Sequence, residues 1–236
     1  MGHLDINTGQ IVANAAVSER TAFIKRTYLH VAGAFLVFTL LEMMLIKAGF
    51  GEKMLAMIST SKWSWLVVLG AFMFVSHFAN KWAHSALSRE KQYLGLGVFV
   101  VAEAIIFLPL IYMAATFAPD ILRQAVIATI ALTVGITFTA FTTKKDFSFL
   151  GPILKIGGMI ALGIIVASIF IGFSLGLVFS GAMVIFAAGS IIYSTSNVIH
   201  HYHTEQHVAA SLSLFSSIAL MFWYILQFLM ALSSGD

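Results

Sequence analysis

Seven stretches of the chain are apolar for about twenty residues at a time: 28–46, 63–79, 93–117, 121–141, 153–175, 176–199 and 207–232. A bilayer core of roughly 30 Å takes about 20 residues of α-helix to cross, because the helix satisfies its own backbone hydrogen bonds where no water can. The pattern predicts an all-α polytopic membrane bundle with seven transmembrane helices, an N-terminal tail over 1–27, the bundle over 28–232 and a short tail over 233–236. The count of seven depends on a tight turn at residues 174–176 separating the fifth and sixth runs. A re-entrant last segment would return the C-terminus to the starting side.

Composition agrees with the pattern. Hydrophobic residues make up 60% of the chain and charged ones 10%, and the mean hydropathy is +0.96. No connection exceeds about 16 residues, which leaves no room for a soluble catalytic domain. The first 27 residues lack the basic start, apolar core and cleavage site of a secretory signal, so the first crossing is expected to stay as an anchor. Cysteine is absent, which removes disulfides, thiolate catalysis and cysteine-held metal.

The basic residues are scattered along the predicted membrane edges and form no nucleic-acid surface. Arg20, Lys25, Arg26, Lys81, Arg89, Lys91, Lys144, Lys145 and Lys155 fall on one side, and Lys47, Lys53, Lys62 and Arg123 on the other. This asymmetry predicts a cytoplasmic N-terminus, with Asp236 outside. Small residues four apart, Ala131/Gly135, Gly163/Ala167 and Gly172/Gly176, are read as places where helices approach closely.

Two acids stand inside the apolar runs. Glu103 lies near mid-membrane, where a carboxylate costs on the order of 2.5–3.5 kcal/mol. It is expected to face the bundle interior, either as a proton-responsive group or as a protonated carboxyl bonded to a neighbouring helix. Glu42 lies close to the end marked by Lys47 and is expected to snorkel toward water.

The last two runs carry polar stripes at helical spacing: Ser190, Ser194, Asn197 and His201 on the sixth, Ser213, Ser217, Tyr224 and Gln227 on the seventh. Such stripes either hydrogen-bond across an interface or line a narrow wet path. His200, His201, His203 and His207 follow between them. His203 and His207 fall one helical turn apart if the seventh helix starts early, a spacing that could suit a transition metal, but the acid that a metalloprotease helix needs directly after its first histidine is missing, and a solvated, pH-sensitive loop is the simpler reading. Ser180, near the outer end of the sixth run, has no evident histidine partner at its depth, and the seventh run has no lysine for a Schiff base. The chain is therefore expected not to be an enzyme, and no catalytic, cofactor or metal site is assigned.

Two motifs carry a resemblance. The segment Thr142-Thr143-Lys144-Lys145-Asp146-Phe147-Ser148 after the fourth run, and Tyr193-Ser194-Thr195-Ser196-Asn197-Val198-Ile199-His200 followed by Ala210-Ser211-Leu212-Ser213, are similar to the signature segments of the Bax inhibitor-1 group, within it the bacterial YccA branch. Ala79-Asn80-Lys81 adds a lesser match, and the resemblance covers roughly residues 20–232. It implies a seven-helix fold with the last helix surrounded by the others. It also implies one of two roles. Some members resemble pH-sensitive calcium leaks gated by paired aspartates; the YccA branch is tied to the membrane-anchored protease FtsH and to membrane-protein quality control, with stress and cell-death responses elsewhere in the group.

In this chain the two acid positions fall at Ser194 and Ser217. Paired carboxylates share protons and hold a divalent cation when ionised; two serines do neither. Calcium or proton flux would then need Glu103 or Glu42 in their place. Two expectations stand side by side: an interaction protein that engages a protease such as FtsH from the bilayer, and an ion leak that relies on Glu103.

Overall fold

The computed structural model describes residues 10–85, 88–143 and 145–235. Lys144, Asp236 and residues 1–9 lie outside them. After a single 3-10 turn at Val12–Asn14 come eight helices: α1 (Val17–Lys47), α2 (Phe50–Thr60), α3 (Lys62–Ala83), α4 (Arg89–Phe117), α5 (Pro119–Thr143), α6 (Leu150–Ile171), α7 (Gly176–His200) and α8 (His207–Ser234). All except α2 are long and apolar enough to cross a membrane, which makes the protein a polytopic helical bundle with seven spans. Their odd number leaves Gln10 on one face, here the N-terminal face, and Gly235 on the other.

The expected turn between the fifth and sixth spans is present. Gly172 (φ 87°) stops α6 and Gly176 (φ 52°) starts α7, both in the left-handed region that glycine enters at little cost. The first helix is longer than its apolar run. It begins at Val17, and at 1.5 Å per residue its 31 residues span roughly 46 Å, so three turns extend past the hydrocarbon on the N-terminal face. On the opposite face α2, which has no counterpart in the hydropathy pattern, packs on α1, α3 and α4. Its 11 residues are too few to span.

The bundle is assembled around α8, which is flanked by α1, α3, α4, α5 and α7. The centre is shared with α4: 72% of the residues in its most apolar window are buried, against 50% in α8. Phe38, Phe107 and Phe215 meet there at centroid separations of 5.4 and 6.1 Å, joining α1, α4 and α8 through edge-on rings. Large apolar side chains that no helix covers, such as Val178 (86% exposed) and Ile185 (76%), face outward, as a lipid solvent permits.

Close helix approach occurs at positions other than the small-residue pairs read from the sequence. A Cβ on Gly135 or Gly163 would meet nothing within 4 Å, while Gly172 and Gly176 serve the turn. The tight contact is between α4 and α3, where a Cβ on Gly95 would lie 2.5 Å from the Ala79 carbonyl oxygen and from the Ala83 nitrogen. Small-residue spacing marks a face on which backbones could meet, and the partner decides whether they do.

Candidate functional site

Four serines, two from each of the last two helices, interlock at the α7–α8 interface. Ser190 and Ser194 are one turn apart on α7, as are Ser213 and Ser217 on α8, so both pairs project toward the other helix. The hydroxyls lie 2.9 Å apart for Ser190–Ser217, 2.9 Å for Ser194–Ser217 and 3.0 Å for Ser194–Ser213. Ser217 also donates to the Ser213 carbonyl at 2.9 Å. A single proton arrangement satisfies all of them: Ser213 donates to Ser194, Ser194 and Ser190 donate to Ser217, and Ser217 donates to the backbone. Ser194 and Ser217 are 2% and 4% exposed, so the centre of this lock is buried.

The lock divides the two polar stripes. Toward the N-terminal face, Tyr193, Asn197 and His201 line a polar cavity of about 440 Å³ together with Tyr202 and Gln206. Away from that face, Ser190, Ser217, Tyr224 and Gln227 line a second cavity of about 380 Å³ that reaches Glu103. Glue and lining, alternatives in the sequence, are therefore successive levels of the same stripe. Ser190 and Ser217 bound the second cavity, and Ser194 separates it from the first.

The two buried acids do not meet. Glu103, 5% exposed on α4, faces the second cavity and accepts no hydrogen bond among the described residues. Glu42 lines neither cavity. Instead of snorkelling it is 3% exposed with both carboxylate oxygens unpartnered. The cause is α2, which packs against α1 and α4 at that end and covers the level at which a snorkelling side chain would find water.

On the N-terminal face the motif after α5 is clamped to the end of α7. Thr142 and Thr143 return their hydroxyls to carbonyls of their own last turn, at 2.9 and 2.7 Å, and Lys145 is exposed. Asp146 then accepts from the Ser148 amide at 2.8 Å and lies 3.0 Å from His201 Nε2, while Ser196 receives the Phe147 amide at 2.9 Å. The Ser148 amide first, and then His201, hold the Asp146 carboxyl down to about 2. Burial raises the Tyr202 phenol above its ordinary value, with Ser213 acting against it. Tyr193 packs on Gly151, where a Cβ would lie 3.0 Å from its hydroxyl oxygen. Thr195 is fully buried.

The histidines disperse to separate partners: His201 to Asp146, His203 to Gln206, and His207 to a cluster invisible in the sequence. There the Tyr93 hydroxyl lies 3.2 Å from His30 Nε2 and 3.5 Å from His207 Nε2, joining α1, α4 and α8. His200 keeps a buried, unpartnered Nε2. Because α8 starts only at His207, His203 and His207 never share a helical turn. No group of three histidines and acids suited to a metal occurs among the described residues.

The connection before α8 is tied down twice more. Glu205 pairs with Arg89 at the start of α4. The segment ahead of α1 lies antiparallel to residues 202–204, the Val12 amide donating to the Tyr202 carbonyl at 2.9 Å and the Thr204 amide to the Gln10 carbonyl at 3.0 Å. Val12 is completely buried there, packed with Phe23, Val198 and Leu214.

The family described as Bax1-I, inhibitor of apoptosis-promoting Bax1, matches residues 20–234. The Golgi anti-apoptotic protein of Vaccinia virus (strain Lister) is 30% identical over 236 residues, covering 95% of this chain and 92% of the viral protein. Protein LIFEGUARD 4 of Arabidopsis thaliana is 34% identical over 140 residues, 57% of this chain and 55% of the plant protein. The modulator of FtsH protease YccA of Escherichia coli (strain K12) is 37% identical over 89 residues, 37% of this chain and 40% of that protein. No solved structure matches.

Proposed function

The chain belongs to the Bax1-I family, and from that premise we propose that it is a non-enzymatic interaction protein of a bacterial inner membrane, a modulator of a membrane-anchored protease of the FtsH type. The observation that carries this reading is the serine lock. At the level where a proton-gated member would need two carboxylates, Ser194 and Ser217 present neutral hydroxyls whose hydrogen bonds are complete. Protons have nothing to act on there, and a divalent cation would find no charged ligand. A bundle with its central interface closed in this way is suited to act as a surface for a partner. The YccA relative supports the kind of partner.

The N-terminus is read as cytoplasmic from the distribution of lysine and arginine, and residues 2–9 are the handle that this reading offers to the protease. Val12 and the start of α1 are built into the bundle, so the deletion that tests the handle stops short of them. The test is reconstitution with an FtsH-type protease and a membrane-protein substrate. The full chain is expected to co-purify with the protease and slow substrate turnover, and deletion of residues 2–9 to weaken both effects. Equal turnover with and without the full chain would overturn the proposal.

A leak remains as a second reading because the second cavity reaches Glu103 from the serine lock. It requires the lock to open, and its test is the flux measurement described below.

A further inference from the structure

The second cavity has a shape and lining that the proposed role does not use. One face of α3 lines it from Trp65 through Leu69, Phe72 and Ser76 to Asn80, a rise of roughly 22 Å. A volume of about 380 Å³ drawn out over that length is a narrow slot, within the size range of small-molecule sites. The opposite wall is the central helix. Ser216, Leu220, Trp223 and Gln227 form a stripe on α8 that stays half-exposed although five helices surround α8, and the slot is what exposes it.

Its walls are aromatic. Trp223 meets Phe107 edge-on at 4.8 Å and stacks with Trp65 at 6.1 Å, and Phe179 meets Tyr224 edge-on at 6.0 Å. Into this enclosure points one acid, Glu103, 95% removed from solvent and without a hydrogen bond or ion pair among the described residues. Nearby, Ser76 also has a buried hydroxyl with no partner.

A carboxyl left without a counter-charge inside an aromatic wall matches one class of ligand. Ring faces attract cations through their quadrupoles, most strongly when water is excluded, and a carboxylate supplies the charge that a buried cation needs. Calcium fits poorly, since it takes six to eight oxygens. Among the described residues Glu103 is the only acid lining the slot, one negative charge against the two of calcium, and the Ser217 oxygen is already committed to the lock. An organic cation has no such demand for oxygen, and an alkyl chain would occupy the length of the slot beside α3.

We infer that the slot between α3, α4 and α8 is a binding site for a lipophilic organic cation, a single-chain amine or quaternary ammonium whose charged head is held by Glu103 and the rings of Trp65, Phe107, Trp223 and Tyr224. The site stands on the cavity alone and is independent of any effect on a protease.

The full chain in phosphatidylcholine nanodiscs, which carry no net charge to attract a cation, provides the test. The probes are dodecyltrimethylammonium and neutral 1-dodecanol, followed by native mass spectrometry and by the fluorescence of Trp65 and Trp223. The expected result is saturable binding of one cation per chain, at least tenfold tighter than dodecanol. Glu103→Gln should remove that preference while leaving dodecanol binding unchanged, and Glu103→Asp should keep part of it. Ser216→Phe, which fills the slot from α8, should abolish binding of both probes, and it decides the matter if Glu103→Gln does not fold. Equal affinity for the two probes in the unmodified chain, binding that survives Ser216→Phe, or displacement of the cation by millimolar calcium would each overturn the inference.

Discussion

The hydroxyl oxygens of Ser194 and Ser217 lie 2.9 Å apart at the buried junction of α7 and α8, with Ser217 also donating to the backbone of its own helix. Replacing both by aspartate would place two carboxyls in the same buried contact, where they must share a proton and separate when both ionise. In calcium-loaded liposomes the unmodified protein is expected to give no flux above empty vesicles between pH about 5 and 8, the range over which a histidine or a raised carboxyl would titrate. The Ser194→Asp/Ser217→Asp variant is expected to leak, and to leak in a pH-dependent way. Flux through the unmodified chain that disappears in Glu103→Gln would establish the leak reading.

Ser194→Ala removes two hydroxyl contacts from the lock and leaves Ser213 and Ser217 each short of one. Interhelical hydrogen bonds within membranes contribute about 0.6–2 kcal/mol each. A loss of about 1–3 kcal/mol is expected for the variant, measured by unfolding in mixed micelles with rising dodecyl sulfate. An unchanged midpoint would mean that the lock adds nothing to helix association.

Asp146 is held down to about 2 chiefly by the Ser148 amide and then by His201. A carboxylate lowered on folding stabilises the folded chain above its ordinary value, and that contribution is lost as the pH falls through the folded one. The clamp between the α5–α6 loop and α7 should loosen between pH about 4 and 2, by a modest amount because Asp146 is exposed and screened. Hydrogen exchange reports it directly. The protection of the Phe147 and Ser148 amides relative to their intrinsic exchange rates should fall across that window, and in Asp146→Asn it should be lost at neutral pH. Slow exchange in the variant would show that Ser196 alone secures the loop.

Gly95→Ala would drive a methyl group to 2.5 Å from the backbone of α3 at both Ala79 and Ala83, and neither atom is a flexible side-chain end. Separating α3 from α4 is expected to cost about 1–3 kcal/mol. Gly97→Ala, two residues on and facing open space, should be neutral or stabilising by up to about 1 kcal/mol. The two variants compared by thermal unfolding separate close packing from helix propensity. Equal midpoints would contradict the α3–α4 contact.

Orientation is testable because the chain has no cysteine to label in the background. Thr60→Cys, at the end of α2, should react with an impermeant maleimide on intact cells. Thr143→Cys, at the end of α5 on the opposite face, should react only after the cells are opened. The reverse pattern would invert the proposed topology.

The spans could be read from the sequence because lipid imposes a minimum run of apolar residues, a requirement that one sequence displays on its face. The extra turns of α1 and the whole of α2 escape that signal, since neither is in hydrocarbon. At the α7–α8 interface the four-residue spacing of Ser190/Ser194 and Ser213/Ser217 was a sufficient guide to which residues meet. The division of the stripe into lock and cavity linings was not, because it depends on where α4 and the α5–α6 loop close against those helices. Glu42 departs from its expected place near water for the same reason: distance from a helix end measures access to water only if nothing covers that end. The His30–Tyr93–His207 cluster joins three helices through single residues, so no spacing could announce it. Gly95 is legible only once Ala79 and Ala83 are known to lie across from it.

The short antiparallel pairing of residues 10–12 with 202–204 gives the N-terminus a mechanical meaning. A machine that grips the chain at its first residues and pulls would load this seam before any transmembrane helix felt the force. The seam is two backbone hydrogen bonds and one buried valine deep. Its release would bare the link between α7 and α8 while leaving seven spans in place. The first event of extraction would then be a change at the foot of the central helix, reversible if the grip is lost.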